Sequence, residues 1–248
     1  MQKEGKTIID SIVSKQNGQG SFEFKGIKYH VCVVDIKDSQ HDINFHLKNK
    51  EGVKYNSIYS LLHDKDLDSL NFLMITNGGM YTPNQDPQGL FIEDGKIIKP
   101  LDESKLNNST NFYLFPNGVF YIDSNRNANI KTTTEYSKLS KSLHVRHATQ
   151  SGPMLVIDNK IHDKFAQGSK NINIRSGVGI LDDKYVIFII SKGLVNFWDF
   201  ATVFKDVFGC RNALYLDGAI SLMYLNKINT KDLGGNFGPI ISITKNKN

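Results

Sequence analysis

Three polar clusters carry residue types suited to a reactive site, and each stands at the end of an apolar run. The first is Thr149-Gln150-Ser151-Gly152-Pro153, a bend of hydroxyl, amide and small residues that feeds Met154-Leu155-Val156-Ile157. Backbone N–H groups at such an entry can point at an anion instead of a neighbouring strand, with the Ser151 hydroxyl and the Gly152 N–H as donors. The second is Arg175-Ser176-Gly177-Val178-Gly179. A guanidinium is a planar fork of donors that fits phosphate or carboxylate, and arginine is scarce in this lysine-rich chain. An ordinary ion-paired arginine is the plain alternative. The third is Asp217-Gly218-Ala219-Ile220-Ser221, which follows the apolar run 213–216. A carboxylate at a strand end beside glycine has room to act as nucleophile, general base or metal ligand; the alternative is an Asx turn. Asn77-Gly78-Gly79-Met80-Tyr81 is a fourth cluster, where two glycines permit either a plain turn or close backbone approach to a ligand.

Other chemistries are argued against. Ser151 lacks the glycine two residues before it that a nucleophile elbow needs. Gly177-Val178-Gly179 lacks the third glycine and the helix of a dinucleotide fingerprint, and no Walker loop occurs. His144, His147 and His162 have no helix to bring two of them onto one face, so they read as surface or tautomer-locked histidines. Cys32 and Cys210 read as buried thiols, a bridge between them being the other option.

The elements that must position these clusters are mostly strands. Residues 21–25 and 27–35 read as a hairpin, 42–47 as a third strand, and 70–76 as a buried one. Residues 89–93 and 96–98 form a hairpin about Asp94-Gly95. Residues 111–115 and 119–123 are expected to pair around Pro116-Asn117-Gly118. The stretch 102–110 reads as a surface loop, and 125–143 as loop with a short strand near 130–134. Strands are expected at 154–157, 171–180, 185–191, 210–216 and 240–243. Ser57 can cap a short helix. The best helix starts after Asn196: Phe197, Phe200, Ala201, Phe204, Val207 and Phe208 make one apolar stripe, closed by Gly209. The class is α+β, strand-rich and largely antiparallel, with two or three helices in a single layered domain. Residues 1–20 are expected to be a polar tail or short helix, and 21–248 the domain.

With 248 residues, 40% apolar and 22% charged, the chain can bury a full core. Its net charge of +5 comes from scattered lysines that do not interleave with aromatics. That argues against a nucleic-acid partner and suits an anionic small substrate. No apolar run of about 18 residues exists to span a membrane. The first 20 residues lack the apolar core of a signal peptide, so the chain is read as cytoplasmic or as one whose leader has been removed.

Seven segments stand in a familiar order: 77–81, 89–95, 116–120, 148–156, 174–180, 196–201 and 212–221. Together they resemble the phosphodiester glycosidase domain family, in its bacterial branch, from about residue 20 to the C-terminus. The resemblance implies a hydrolase that cleaves the bond between a sugar's anomeric carbon and a phosphodiester oxygen. Its substrate would be a sugar-phosphate-containing small molecule or a cell-envelope glycan, met outside the cytoplasm. It implies a cleft lined by Asn77, Gly78, Thr149, Gln150, Ser151, Arg175, Asp217 and Ser221. Arg175 and the Ser151-Gly152 bend would hold phosphate, and Asp217 would assist hydrolysis. No cofactor is required by these residues, and a divalent cation is compatible with them. On this reading Arg175→Ala and Asp217→Ala each abolish turnover in a folded protein. A binding module for glycan phosphates, without turnover, is the alternative.

Overall fold

A computed structural model describes residues 10–12, 18–104, 110–216, 220–228 and 233–245. Sixteen strands among them form three antiparallel sheets. The seven-stranded sheet has the order β1 (Gln19–Phe24), β2 (Ile27–Asp35), β13 (Tyr185–Ser191), β12 (Ser176–Ile180), β14 (Asn212–Tyr215), β10 (Met154–Ile157), β11 (Lys160–Ile161). The four-stranded sheet runs β15 (Met223–Leu225), β4 (Asn71–Asn77), β16 (Ile240–Lys245), β3 (His41–His46). The five-stranded sheet runs β6 (Lys96–Lys99), β5 (Phe91–Glu93), β9 (Val145–Ser151), β7 (Gly118–Asp123), β8 (Ala128–Thr132). The strand-rich, antiparallel α+β class expected from the sequence is the class observed.

Both faces of the seven-stranded sheet are covered, which explains why its central strands read as continuous apolar runs. Toward the other two sheets, Phe188, Val178 and Leu214 pack with Phe45, Phe120 and Ile241. On the opposite face Leu155, Ile187 and Ile189 pack against Phe200 and Phe204, each such side chain contributing about 1.5–3 kcal/mol on full burial. Phe200 and Phe204 belong to the helix Phe197–Thr202 and the π turn Val203–Val207 that continues it. Asn196 caps that helix, its side chain accepting from the Asp199 N–H. Glycine at 179 lets the helix sit this close: a Cβ there would stand 2.7 Å from Phe204 Cδ1. Gly177-Val178-Gly179 is therefore a packing device. Both cysteines are buried, free thiols, Cys32 facing one core and Cys210 the other.

Three local expectations need correction. Residues 111–115 are not a strand; Asn111–Tyr113 is a single 3-10 turn, and β7 pairs instead with β8 and β9. Within 125–143 lies a helix, Thr133–Leu139, begun by a capping box in which Thr132 and Glu135 exchange hydrogen bonds. Thr149-Gln150-Ser151 is not a loop entry but the end of β9, buried in the middle of the five-stranded sheet. Of the expected N-terminal tail, residues 10–12 are helical, and Ile12 is buried against the core of the domain. No helix among the described residues is long and apolar enough to cross a membrane.

Candidate active site

The three sheets meet where β4 and β9 end, β12 begins and β14 ends. Asn77, the last residue of β4, is fully buried and ties this corner together. Its Oδ1 accepts from Ser176 Oγ at 3.4 Å and from the Leu222 N–H at 3.3 Å, while its Nδ2 donates to the Leu216 carbonyl at 3.4 Å. Ser176 follows Arg175, Leu216 precedes Asp217, and Leu222 follows Ser221. One amide thus links the chain beside three expected site residues. The bonds are long, so each is weak on its own. Leu216 N–H also donates to the Ser176 carbonyl at 3.1 Å, and Ser221 Oγ donates to the Ile174 carbonyl at 3.2 Å. Asp217 itself lies outside the described residues, between Leu216 and Ile220.

From Asn77 the chain passes through Gly78 to Gly79, which joins this group to the end of β9. Gly78 N–H donates to the Pro239 carbonyl at 2.6 Å. Gly79 has φ +136, a conformation that favours glycine, and a Cβ there would stand 2.6 Å from Thr149 Oγ1 and 3.7 Å from Ser151 Cβ. Thr149 and Ser151 therefore face the Asn77-Gly78-Gly79 turn. The Ser151 hydroxyl is completely buried and has no hydrogen-bond partner. Buried hydroxyls are normally paired, and an orphan one calls for an explanation.

Strand alternation sends Gln150 to the other face of β9. There its Oε1 accepts from the Leu90 and Asp102 N–H groups at 3.0 and 2.9 Å, and its Nε2 donates to the Asp102 carbonyl and to Thr133 Oγ1 at 2.8 and 3.1 Å. Gln150 braces the back of the sheet and is not brought together with Ser151. Gly152 lies beside Asn117 and Phe112, and Ser151-Gly152-Pro153 carries the chain from the five-stranded sheet into β10 of the seven-stranded one.

Among the described residues Arg175 is the largest fully buried side chain. Its Nε donates to the Val195 carbonyl at 2.8 Å, and Nη2 donates to Asn171 at the carbonyl (2.9 Å) and at Oδ1 (3.1 Å). Nη1 reaches Tyr215 Oη at 3.4 Å. The guanidinium lies 3.6 Å from the Phe197 ring centroid. Phe197 in turn stacks on Phe165, and Phe165 on His162, at 4.9 and 4.7 Å. Burial holds the His162 imidazole below its usual pKa, so the far end of this stack stays neutral. Sequence reasoning missed Phe197, Tyr215, Asn171 and Ser176 as companions of the site. Ser176 stood next to Arg175 and was open to notice; the aromatics had been absorbed into the core pattern.

Among the described residues no three His, Cys, Asp or Glu side chains gather as a metal site. His147 is buried and stacks on Phe45, while His162 belongs to the aromatic stack.

The sequence matches the phosphodiester glycosidase family over residues 71–240, a span holding all of the site residues above. The chain belongs to that family. Among its relatives is the uncharacterized protein YigE of Escherichia coli K12, 31% identical over 183 residues, which cover 74% of this chain and 69% of YigE. The phosphodiester glycosidase fold is also met in the catalytic domain of zebrafish N-acetylglucosamine-1-phosphodiester alpha-N-acetylglucosaminidase, described as auto-inhibited by its pro-peptide. That structure superposes with a TM-score of 0.62 at 14% identity, over 91% of this chain and 81% of the other. A hypothetical protein from Synechocystis superposes with a TM-score of 0.55 at 12% identity, over 92% and 61% of the two chains. At such identities these two likenesses concern the fold alone.

Proposed function

We propose that this phosphodiester glycosidase family member hydrolyses a glycosyl-1-phosphodiester bond in a sugar-phosphate molecule or cell-envelope glycan. The observation that supports this most is the buried, unpartnered Ser151 hydroxyl facing the Asn77–Gly79 turn, which in turn is tied to the residues flanking Arg175 and Asp217. Ser151 Oγ donates to a phosphate oxygen, with the Gly152 N–H as second donor. Arg175 contributes a fixed positive charge held beneath the site, its Nε and Nη2 donating to Val195 and Asn171 and its Nη1 to Tyr215 Oη. Donors fixed in advance of the reaction cost no reorganisation as charge develops on the leaving group.

Water adds to the anomeric carbon, the bond from that carbon to the phosphodiester oxygen breaks, and a phosphate monoester leaves. Because a phosphate monoester departs readily, the site needs anion stabilisation more than a general acid. Asp217 assists at the anomeric carbon. As general base it gives an inverted sugar, and as nucleophile a retained one.

The test is incubation with a panel of sugar-1-phosphodiesters, reading reducing-sugar release and its anomeric configuration by proton NMR. Release that is abolished by Asp217→Asn supports the assignment. Thermal stabilisation by a panel member without any release would make the protein a binding module instead.

A further inference from the structure

On the face of the five-stranded sheet that points away from Ser151 lies a groove of about 840 Å³, with Ile92, Ile97, Leu101, Tyr136 and Val145 among its walls. Beside it runs β6, Lys96-Ile97-Ile98-Lys99, the edge strand of that sheet, exposed at all four residues. Ile97 is 63% exposed. An edge strand presents unpaired backbone N–H and C=O groups and invites another strand. The opposite edge, β8, is closed off, since Asn212 of the seven-stranded sheet donates to the Ile130 carbonyl at 3.2 Å.

The charges around this edge decide what can join it. Lys96 and Lys99 flank the two isoleucines, and Lys141 and His144 stand on the groove wall. The carboxylate on that wall, Asp94, is already bridged by Arg146 at 3.3 Å. A second copy of this chain, paired antiparallel through β6, would place Lys96 opposite Lys99, and like charges facing across a ladder are destabilising. Lysines and a register shift, here between Phe91 and Ile92, are also devices that keep an edge from joining its own kind. A strand bearing carboxylates meets the opposite situation in charge, its acidic side chains facing the lysines.

We propose that β6 and its groove dock an extended acidic peptide segment of a partner protein, added as a sixth strand. Alternate apolar side chains of that segment enter the groove beside Ile97, and its carboxylates, on the other face of the added strand, meet Lys96 and Lys99. Main-chain bonds supply affinity in this mode, and the side-chain alternation supplies selection.

The probe is a fluorescent hexapeptide of alternating glutamate and valine, compared with one of alternating lysine and valine. Saturable binding of the glutamate peptide, with slowed amide exchange confined to β6 and the groove wall, is the expected result. A Lys96→Glu/Lys99→Glu variant should weaken the glutamate peptide by about tenfold and favour the lysine peptide. Because these side chains are exposed, the variant is expected to fold, as circular dichroism would verify. Ile97→Asp, which removes the apolar contact and adds a like charge, should weaken the glutamate peptide. Equal binding of the two peptides, or protection mapping elsewhere, would overturn the proposal. So would binding only to phosphatidylglycerol vesicles, or concentration-dependent self-association through β6.

Discussion

The guanidinium of Arg175 sits over the ring of Phe197, with 3.6 Å between the Arg175 Cζ and the ring centroid. The ring's negative face attracts the cation, and burial of both groups strengthens that attraction to about 2 kcal/mol. Because Phe197 is also the first residue of the helix Phe197–Thr202, it couples the helix that covers one face of the sheet to the Arg175 guanidinium. Phe197→Leu keeps the apolar volume and removes the π face. It is expected to lower stability by about 1–2 kcal/mol and to reduce turnover, measured by thermal melts and sugar release on the same preparation. Unchanged turnover would mean that the stack serves folding alone.

Ser151→Ala separates chemistry from stability more cleanly. The hydroxyl has no partner to lose, and removing an unsatisfied buried polar atom is expected to leave the melting temperature unchanged or raise it. Turnover should nonetheless fall by roughly 100-fold, the usual cost of deleting one preorganised donor. A variant as active as the parent would remove Ser151 from the site.

Gln150→Ala should show the reverse pattern. Two backbone N–H groups, of Leu90 and Asp102, lose their acceptor, which should cost about 2–4 kcal/mol. Turnover per folded molecule should hold, because this side chain lies behind the strand. Urea unfolding alongside active-site titration distinguishes these two quantities.

The response to pH follows from buried histidines opposed by one glutamate. Burial lowers the pKa of His147, His46 and His30 to about 4. Between the folded value near 4 and the unfolded value near 6.5, the unfolded chain binds more protons, so stability falls as pH falls through that window. Glu93 acts the other way. Burial, aided by Asp94, raises it to about 7, so its contribution is present below the unfolded value near 4.5 and is lost as pH rises toward 7. Glu93→Gln removes the opposing effect. The variant should be more stable than the parent at pH 7.5 and should lose stability more steeply between pH 6.5 and 4. Melting curves across that range would decide it, and a variant with the parent's profile would contradict the assignment.

Alternation and turn chemistry made most strands legible: β2, β4, β13 and β16 stand within a few residues of their expected bounds. What escaped did so for identifiable reasons. The end of β9 reads as loop because Thr149, Gln150 and Ser151 are polar, yet a central strand can hold such residues when another part of the chain answers them, as Asp102 and Thr133 answer Gln150. The helix Thr133–Leu139 did announce itself through Thr132 and Glu135, a capping pair three residues apart. Arg175 is the deeper lesson. Its importance was visible in its neighbours, but two of the acceptors that hold it are the backbone carbonyls of Val195 and Asn171, and a carbonyl has no letter in the sequence. As a result Arg175→Ala, which reads from sequence as a clean loss of activity, should also unfold the protein by leaving buried acceptors and an aromatic face without their cation. The position of Asp217 within the site stands as part of the proposal.

The passage Ser151-Gly152-Pro153 joins two sheets by a leash of three residues, each able to span no more than about 3.6 Å. Both ends of the leash are anchored in paired strands, Ser151 opposite Gly118 and Met154 opposite Leu214. An inserted or deleted residue here would have to be absorbed by slipping one ladder, which would turn every side chain of that strand to the wrong side. Length variation in relatives of this protein should therefore gather at hairpin tips such as Asp94-Gly95, leaving the leash at its present size.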